Sequence, residues 1–411
     1  MELKGRYSKD CIIFTDNIES EALSMVYSFV NHPMFKDAKI RIMPDVHAGK
    51  DIVVGFTAPF DNHVNPDHIG GDIGCTVSTS VTDIPVNPDH YADIEAGIRD
   101  VVRFGLTVHK TTIFPVKEFL SHLRRRHVEA RRAWPEYVGD FDFTENGLSR
   151  MLKRLDMNEA AFYHAIGSVG SGNHFIEIGV TPEGNYALTA HCGSRNFGQK
   201  VWKYWRMTAH NPSQVSVTGY LEGEQMRGYI TDMVIAQAYA EYNHIMIQRL
   251  MLDVVRRVSG LASGRITGQV ITTHNYIDFG MRMIRKGAVR AAEGEMLVIP
   301  FNMRDGLIVC RGRGNSEWNC SAPHGAGRLL KRSEAKELID MDEYQKSMEG
   351  IYTTSVGRST LDESPMAYKD PKEILRLIEP TVEVLYFIRP VINMKDRGMD
   401  RPADDAEAAD D

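Results

Sequence analysis

The 411 residues carry 48 Lys and Arg against 55 Asp and Glu, a formal charge of −7, and are 43% hydrophobic and 25% charged. Such proportions describe a globular chain able to bury a core, and they exclude disordered, fibrous and generally cationic polymers. Five scattered cysteines, an N-terminus without an apolar leader and no apolar run near the ~20 residues of a membrane span point to a reducing, cytoplasmic setting with no membrane.

In chain order, residues 39–60 read as short apolar strands broken by the turn-rich MPDVHAGKD. Residues 86–165 read as helical and include KEFLSHLRRRHVEARRAW (117–134), whose basic residues are assigned to several faces of a solvated helix, with an unspecific RNA-backbone contact as the alternative. Over 168–198 the runs GNHFIEIGV and NYALTAH flank Thr181-Pro182-Glu183-Gly184, which predicts a β-hairpin. A turn centred on Pro182–Glu183 sets His174 directly opposite His191, with both imidazoles on one face. Residues 223–258 carry Ile230, Val234, Ala238, Ile245 and Leu252 at helical spacing and stop at Gly260. Strand-like runs follow at 268–273, 296–300 and 307–309, then an amphipathic helix over 371–388. Strands and helices mix without a βαβ rhythm, so the expected fold is α+β, one mixed α/β domain over 1–397, followed by an acidic, disordered tail over 398–411. That tail holds six acids and one arginine; removing its −5 from the total of −7 leaves the body at −2, with room for a local basic channel.

Of the 15 histidines, His174, His191, His274 and His324 each sit at a strand end beside small or polar residues. With Asp72 and Cys75 from GGDIGC they make up the ligand types of a borderline transition metal: imidazoles plus one thiolate and one carboxylate. A single Cys among several His is not the paired pattern of a closed structural zinc site, so an open, substrate-accessible site fits better. Taken singly, each of these residues also reads as an ordinary buried polar group. In APHGAGRLLKR, Gly325 and Gly327 let backbone N–H groups approach an anion, and His324 stands at the loop's mouth as a nucleophile suited to phosphorus. RKGAVR is a further basic turn suited to phosphate, or a solvated charge cluster.

The motifs MPDVHAGK, DIGC, GSGNHFIEI, HCGSRNFG, THNY, RKGA, HGAGR and MAYKD occur in the order and spacing of the RtcB family of RNA ligases, which this chain resembles from Met43 to Lys395. The resemblance implies a single domain with a central metal-containing cleft. It implies joining of RNA 3′-phosphate or 2′,3′-cyclic phosphate ends to 5′-hydroxyl ends, using GTP and two Mn²⁺, in RNA repair or tRNA splicing, with an archease-type activator as a possible partner. By motif, His324 would accept GMP. Cys75 would bridge two metals, Asp72 and His174 would bind one, and His191 and His274 the other. Asn173, His174, Phe175, Ile176, Glu177, His274, Asn275, Pro300, Met303, His324, Gly325, Ala326, Gly327 and Lys395 match nucleotide-binding positions, and Arg195, Lys286 and Arg328 match positions that handle RNA or phosphates. The chain departs from the family pattern at Ile299-Pro300-Phe301-Asn302-Met303-Arg304-Asp305, where Phe301 replaces a glycine and Leu307 a serine. A two-metal RNA-end phosphoesterase without ligation, or a non-catalytic RNA-binding relative, are the alternatives.

Overall fold

A computed structural model of the protein describes residues 1–49, 52–209 and 219–398. Strands β1 (Glu2–Leu3) and β2 (Asp10–Ile13) lead into helix α1 (Ser20–Val30), followed by β3 (Lys39–His47), β4 (Val54–Pro59), β5 (His63–Val64) and β6 (Thr76–Pro85). Helices α2 (Tyr91–Val101), α3 (Val116–Ala133), α4 (Glu145–Arg154) and α5 (Glu159–His164) lie in the stretch expected to be helical, separated by irregular chain over 102–115 and 134–144. The hairpin β7 (Phe175–Val180) and β8 (Asn185–Cys192) precedes α6 (Arg195–Ala209), β9 (Leu221–Glu222) and the long α7 (Gly223–Ser259). Then come β10 (Ile266–Thr273), β11 (Tyr276–Asp278), β12 (Met283–Lys286), β13 (Ala288–Arg290), β14 (Met296–Asn302), β15 (Gly306–Gly312) and β16 (Ser321–Pro323). Helices α8 (Arg332–Leu338), α9 (Met341–Ser347) and α10 (Pro371–Ile378) and strand β17 (Val382–Met394) complete the mixed α+β fold.

Two sheets carry it: a six-stranded sheet in the order β1-β2-β3-β4-β12-β11, and a seven-stranded one in the order β10-β6-β8-β7-β17-β15-β14. The larger sheet curls until its edges meet, where the Val298 backbone N–H on β14 donates to Thr272 Oγ1 on β10 at 2.8 Å. The curl encloses Val77, Ala187, Val298, Leu307, Val309 and Ile388. On the sheet's outer face Ile176, Ile178, Leu188 and Ala190 pack against Ile247, Met251, Leu252 and Val255 of α7. Helix α7 ends at Gly260, whose φ of 66° is the left-handed cap that glycine adopts without strain.

Four local expectations are corrected. First, MPDVH does not break the strand: β3 runs through it to His47. Its pairing with β4 is irregular between Ile42 and His47, so Pro44, which has no N–H to offer a ladder, sits where pairing is interrupted. Second, the hairpin is out by one residue. Its loop is the three residues Pro182, Glu183 and Gly184 (φ 85°), closed by Thr181 and Asn185, so His191 lies opposite Phe175 and His174 precedes the strand. Third, residues 371–388 are not one helix: α10 stops at Ile378, and the β-branched and aromatic run after Pro380 becomes β17, inserted between β7 and β15. Fourth, the basic residues of α3 do not spread over several faces. Lys117, Arg124, Arg125, Arg131 and Arg132 share an arc of about 120° on its outer side, leaving only Arg126 toward Glu241.

All five cysteines are free thiols. Among the described residues no helix is long and apolar enough to cross a membrane. The tail residues 399–411, and Lys50 of the MPDVHAGK motif, lie outside the described residues.

Candidate functional site

Three strand ends meet at one rim of the curled sheet. Cys75 leads into β6 from the Asp72–Gly74 turn, His191 stands near the end of β8, and His274 follows β10 with its backbone N–H donated to the Cys75 carbonyl at 2.8 Å. His174 joins them from the loop before β7. Its Nε2 lies 3.4 Å from Cys75 Sγ and 3.0 Å from Asp72 Oδ2, while His191 Nε2 lies 3.2 Å from the same sulfur and 3.3 Å from His274 Nε2. The ligand atoms of Cys75, His174 and His191 all fall within 4.8 Å of one another, and these residues are buried.

The donor set fits a cation. Burial, and then the neighbouring imidazoles of His174 and His324, hold His191 well below the usual histidine range; burial and then His324 do the same to His274. Both rings therefore stay neutral, which is the ligating form. Burial and the adjacent Asp72 carboxylate push the Cys75 thiol well up, so a thiolate there requires a positive partner. Burial also pushes Asp72 up, but the His174 ring outweighs it and leaves the carboxyl well below its ordinary range.

A polar layer on α7 holds the ligand-bearing segments together. Asn243 Oδ1 accepts from the backbone N–H of Gly167 (2.8 Å) and Ser168 (3.3 Å), and its Nδ2 donates to the carbonyls of Ser168 (3.0 Å) and Gly193 (3.4 Å). One side chain thus ties the approach to His174 to the exit from His191. Gly193 is required at that exit: a Cβ there would come within 2.1 Å of Asp72 Oδ1. Beside it His244 contacts the Cys192 carbonyl (2.8 Å) and Ser78 Oγ (2.8 Å) through its two ring nitrogens.

His324 follows β16 and faces the metal-type cluster, its ring 4.7 Å from that of His274. Its Nδ1 lies 2.6 Å from Asp45 Oδ2, and its backbone N–H donates to the same oxygen at 3.1 Å. Asp45 is fully buried on β3. An Nδ1–H donated to this carboxylate leaves the lone pair on Nε2, the nitrogen not engaged by Asp45. The glycine-rich loop then turns tightly over β3. Gly327 has φ 77°, and a Cβ on it would sit 2.3 Å from the Asp45 carbonyl oxygen.

His324 opens onto a cleft of about 620 Å³ whose walls include Asn173, Phe175, Glu177, Asn275, Pro300, Phe301 and Met303, with Asp72, His191 and His274 on the metal side and Lys286, Gly325, Ala326, Gly327, Arg328 and Lys395 around them. At one end Glu363 accepts from Lys395 Nζ (2.7 Å), Arg332 Nη1 (2.8 Å), Tyr368 Oη (2.6 Å) and Arg328. Burial pushes this carboxyl up, but Lys395, Arg328 and Arg332 outweigh it and hold it well below the usual range. Lys395 Nζ also lies 5.5 Å over the Phe175 ring. Glu177, by contrast, is pushed up to about 8 by burial, against the pull of the Asn393 amide and Lys395; its Oε1 and Asn393 Oδ1 are buried without a hydrogen-bond partner.

Most of the residues singled out in the sequence converge here, with two exceptions. Ile176 points to the opposite side of β7, into the core against α7, because alternate residues of a strand face opposite ways. Arg195 spends its guanidinium on the scaffold, donating to Ser168 Oγ (3.1 Å) and the Gly105 carbonyl (2.6 Å). Lys286 donates to the Ile69 carbonyl at 3.2 Å at the cleft's edge. The divergent segment forms the β14–β15 turn, in which Asn302 Oδ1 accepts from the backbone of Arg304 and Asp305, while Phe301 joins a core cluster at 3% exposure. Sequence reasoning missed Asp45, Asn243 and Glu363. Asp45 sat within a quoted motif, a signal that could have found it; Asn243 and Glu363 carry none in one sequence.

Residues 26–396 match the family described as tRNA-splicing ligase RtcB. The chain is 28% identical over 404 residues to the RNA-splicing ligase RtcB of Escherichia coli K12, covering 92% of this chain and 95% of that protein. It is 24% identical over 412 residues to the tRNA-splicing ligase RtcB of Aeropyrum pernix (82% and 83% covered) and 23% identical over 454 residues to that of Methanococcus maripaludis (91% and 90%). With a match spanning nearly its whole length and the Cys/His cluster at its centre, the chain belongs to the tRNA-splicing ligase RtcB family.

Proposed function

We propose that this protein seals RNA breaks in RNA repair or tRNA splicing, joining a 3′-phosphate or 2′,3′-cyclic phosphate end to a 5′-hydroxyl end through a GMP group carried on His324. The observation that carries this reading is the clamp of His324 Nδ1 on buried Asp45, which leaves Nε2 as the nucleophile beside the cluster of Cys75, His174 and His191. Nε2 attacks the α-phosphorus of GTP, an N–P bond forms and pyrophosphate leaves with the electrons of the broken P–O bond. Asp45 holds the ring by its Nδ1–H and offsets the positive charge the imidazole acquires. The RNA 3′-phosphate oxygen then takes the GMP from Nε2, and the 5′-hydroxyl oxygen attacks the activated 3′-phosphorus, releasing GMP. A cyclic end is hydrolysed to the 3′-phosphate first.

Asp72, Cys75, His174, His191 and His274 would hold two Mn²⁺, which when bound neutralise phosphate charge and activate water. Glu177 and Lys395, at the end of the cleft with Phe175 and Asn393, offer edge and ring contacts to a base; Arg328 and Lys286 lie where phosphates would pass. The ligase domain on this reading is residues 1–397, acting in the cytoplasm, with an archease-type activator as a partner.

The test is incubation with α-³²P-labelled GTP and Mn²⁺, then with an RNA pair bearing a 3′-phosphate and a 5′-hydroxyl. Wild type should take up covalent label and ligate, and His324→Ala should do neither. Opening of cyclic phosphate without any label would favour a phosphoesterase and overturn the reading.

A further inference from the structure

The segment that starts at Gly105, bonded to the loops on either side of the metal-type cluster, leads into a row of cations. Gly105 donates its N–H to the Gly170 carbonyl at 3.2 Å, and its own carbonyl accepts from Arg195 Nη2 at 2.6 Å, four residues before His174 and four residues after His191 respectively. From there the chain passes Lys110 and enters α3, whose 18 residues extend about 27 Å. Lys110, Lys117, Arg124, Arg125 and Arg132 are all exposed. Lys110, Lys117 and Arg124 recur every seven residues, and within α3 that interval returns side chains to nearly the same side. No acidic residue falls on this outer arc. The helix's two acids lie on its flank, with Glu118 paired to Arg249 and Glu129 to Arg126. Of the arc's cations, Arg131 is paired with Asp140 and Arg125 contacts His122 Nδ1. Ile113 (37%) and Val128 (53%) are exposed between them, and Leu106 (51%) just before Lys110.

In a chain with a net charge of −7, a run of like charges on one face is a local attraction for a polyanion. We infer that the outer face of α3, with Lys110 at its head, is the track along which the phosphodiester backbone of an RNA strand runs as it leaves the cleft. Lys117, Arg124, Arg125 and Arg132 make the phosphate contacts, and the exposed aliphatic side chains lie under the sugars and bases. The inference rests on the reading of the substrate as RNA, and the cations act on affinity for length, not on the chemistry at His324.

The experiment uses the full chain, a fluorescein-labelled single-stranded RNA of roughly 20 nucleotides with a 3′-phosphate, and a version of about four nucleotides. The quadruple variant Lys117→Gln, Arg124→Gln, Arg125→Gln, Arg132→Gln should lose at least about tenfold in affinity for the long RNA near 0.1 M salt, with the salt slope falling by about 3 if each cation releases ~0.7 of a counterion. Affinity for the short RNA and GTP-dependent labelling of His324 should match wild type, which also shows that the variant folds. A control that neutralises Lys4, Lys36, Lys346 and Lys372 separates a track from a general charge effect. Unchanged long-RNA affinity, or an equal loss in the control, overturns the inference. If wild type is never labelled by GTP, the ligase reading fails while the binding comparison still decides the track.

Discussion

Replacing Asp45 by Asn tests the clamp on His324 directly. Asn has the size of Asp and can still accept from the His324 Nδ1–H and backbone N–H, so the ring keeps its place while the buried negative charge disappears. At the observed 2.6 Å, a full positive charge on the imidazole would be stabilised by at most about 6 kcal/mol at an effective dielectric near 20. A neutral hydrogen bond of ~0.5–1.5 kcal/mol remains in the variant against ~1.5–3 for the charge-assisted one in the resting enzyme. The loss at the transition state therefore lies between these limits, roughly 2–4 kcal/mol, or ~30- to 1000-fold in rate. The assay is single-turnover labelling with α-³²P GTP across a range of GTP concentrations. The rate constant should fall while the half-saturating GTP concentration holds, because Asp45 bonds the ring and is fully buried behind the cleft wall. Labelling within about threefold of wild type would refute the claim that the Asp45 charge supports His324.

Glu177 ties stability to pH. Burial raises its carboxyl from about 4.5 to about 8 in the folded protein. The folded state therefore holds a proton that the unfolded chain has released, and stability falls as pH rises between those values, by roughly 3–5 kcal/mol at most. Glu177→Gln should flatten that slope in denaturant titrations at pH 5 to 9; an unaltered slope counts against the buried neutral acid. Adding Mn²⁺ or Co²⁺ at a hundredfold excess over Kd should stabilise the fold by about 2.7 kcal/mol, read as a higher melting temperature, and Co²⁺ should give a thiolate charge-transfer band that Cys75→Ala removes. Persistence of the band in Cys75→Ala would place the ion elsewhere. Asn243→Leu strips partners from the Gly167 N–H and the Ser168 and Gly193 carbonyls. It should cost about 2–4 kcal/mol in the metal-free protein and weaken metal binding ~10- to 100-fold, measured by denaturation and calorimetric titration. Wild-type metal affinity in a destabilised Asn243→Leu would reduce its role to folding alone.

What was legible from sequence was what residue type and short spacing encode. The strand-end histidines, the Asp72–Cys75 turn, the glycine-rich loop after His324, the long α7 with its Gly260 stop, and the strands β3, β4, β7, β8, β10, β14 and β15 follow from local periodicity and turn chemistry, whereas the central β6 was not read. Where local signals were ambiguous, packing decided. Residues 382–394 carry a pattern that a helix could also use, and become β17 because a gap between β7 and β15 needs a strand. One extra loop residue at Gly184 moved the hairpin register, yet His174 and His191 still met, because Cys75 at the start of β6 and the Asn243 clamp draw both toward one point. Asp45 and His324 are 279 positions apart, and no spacing rule spans that distance. The identity of the reactive groups was written in the chain; which nitrogen of His324 is left to react, and which buried carboxylate holds its ring, depended on long-range contacts that only the folded sheet supplies.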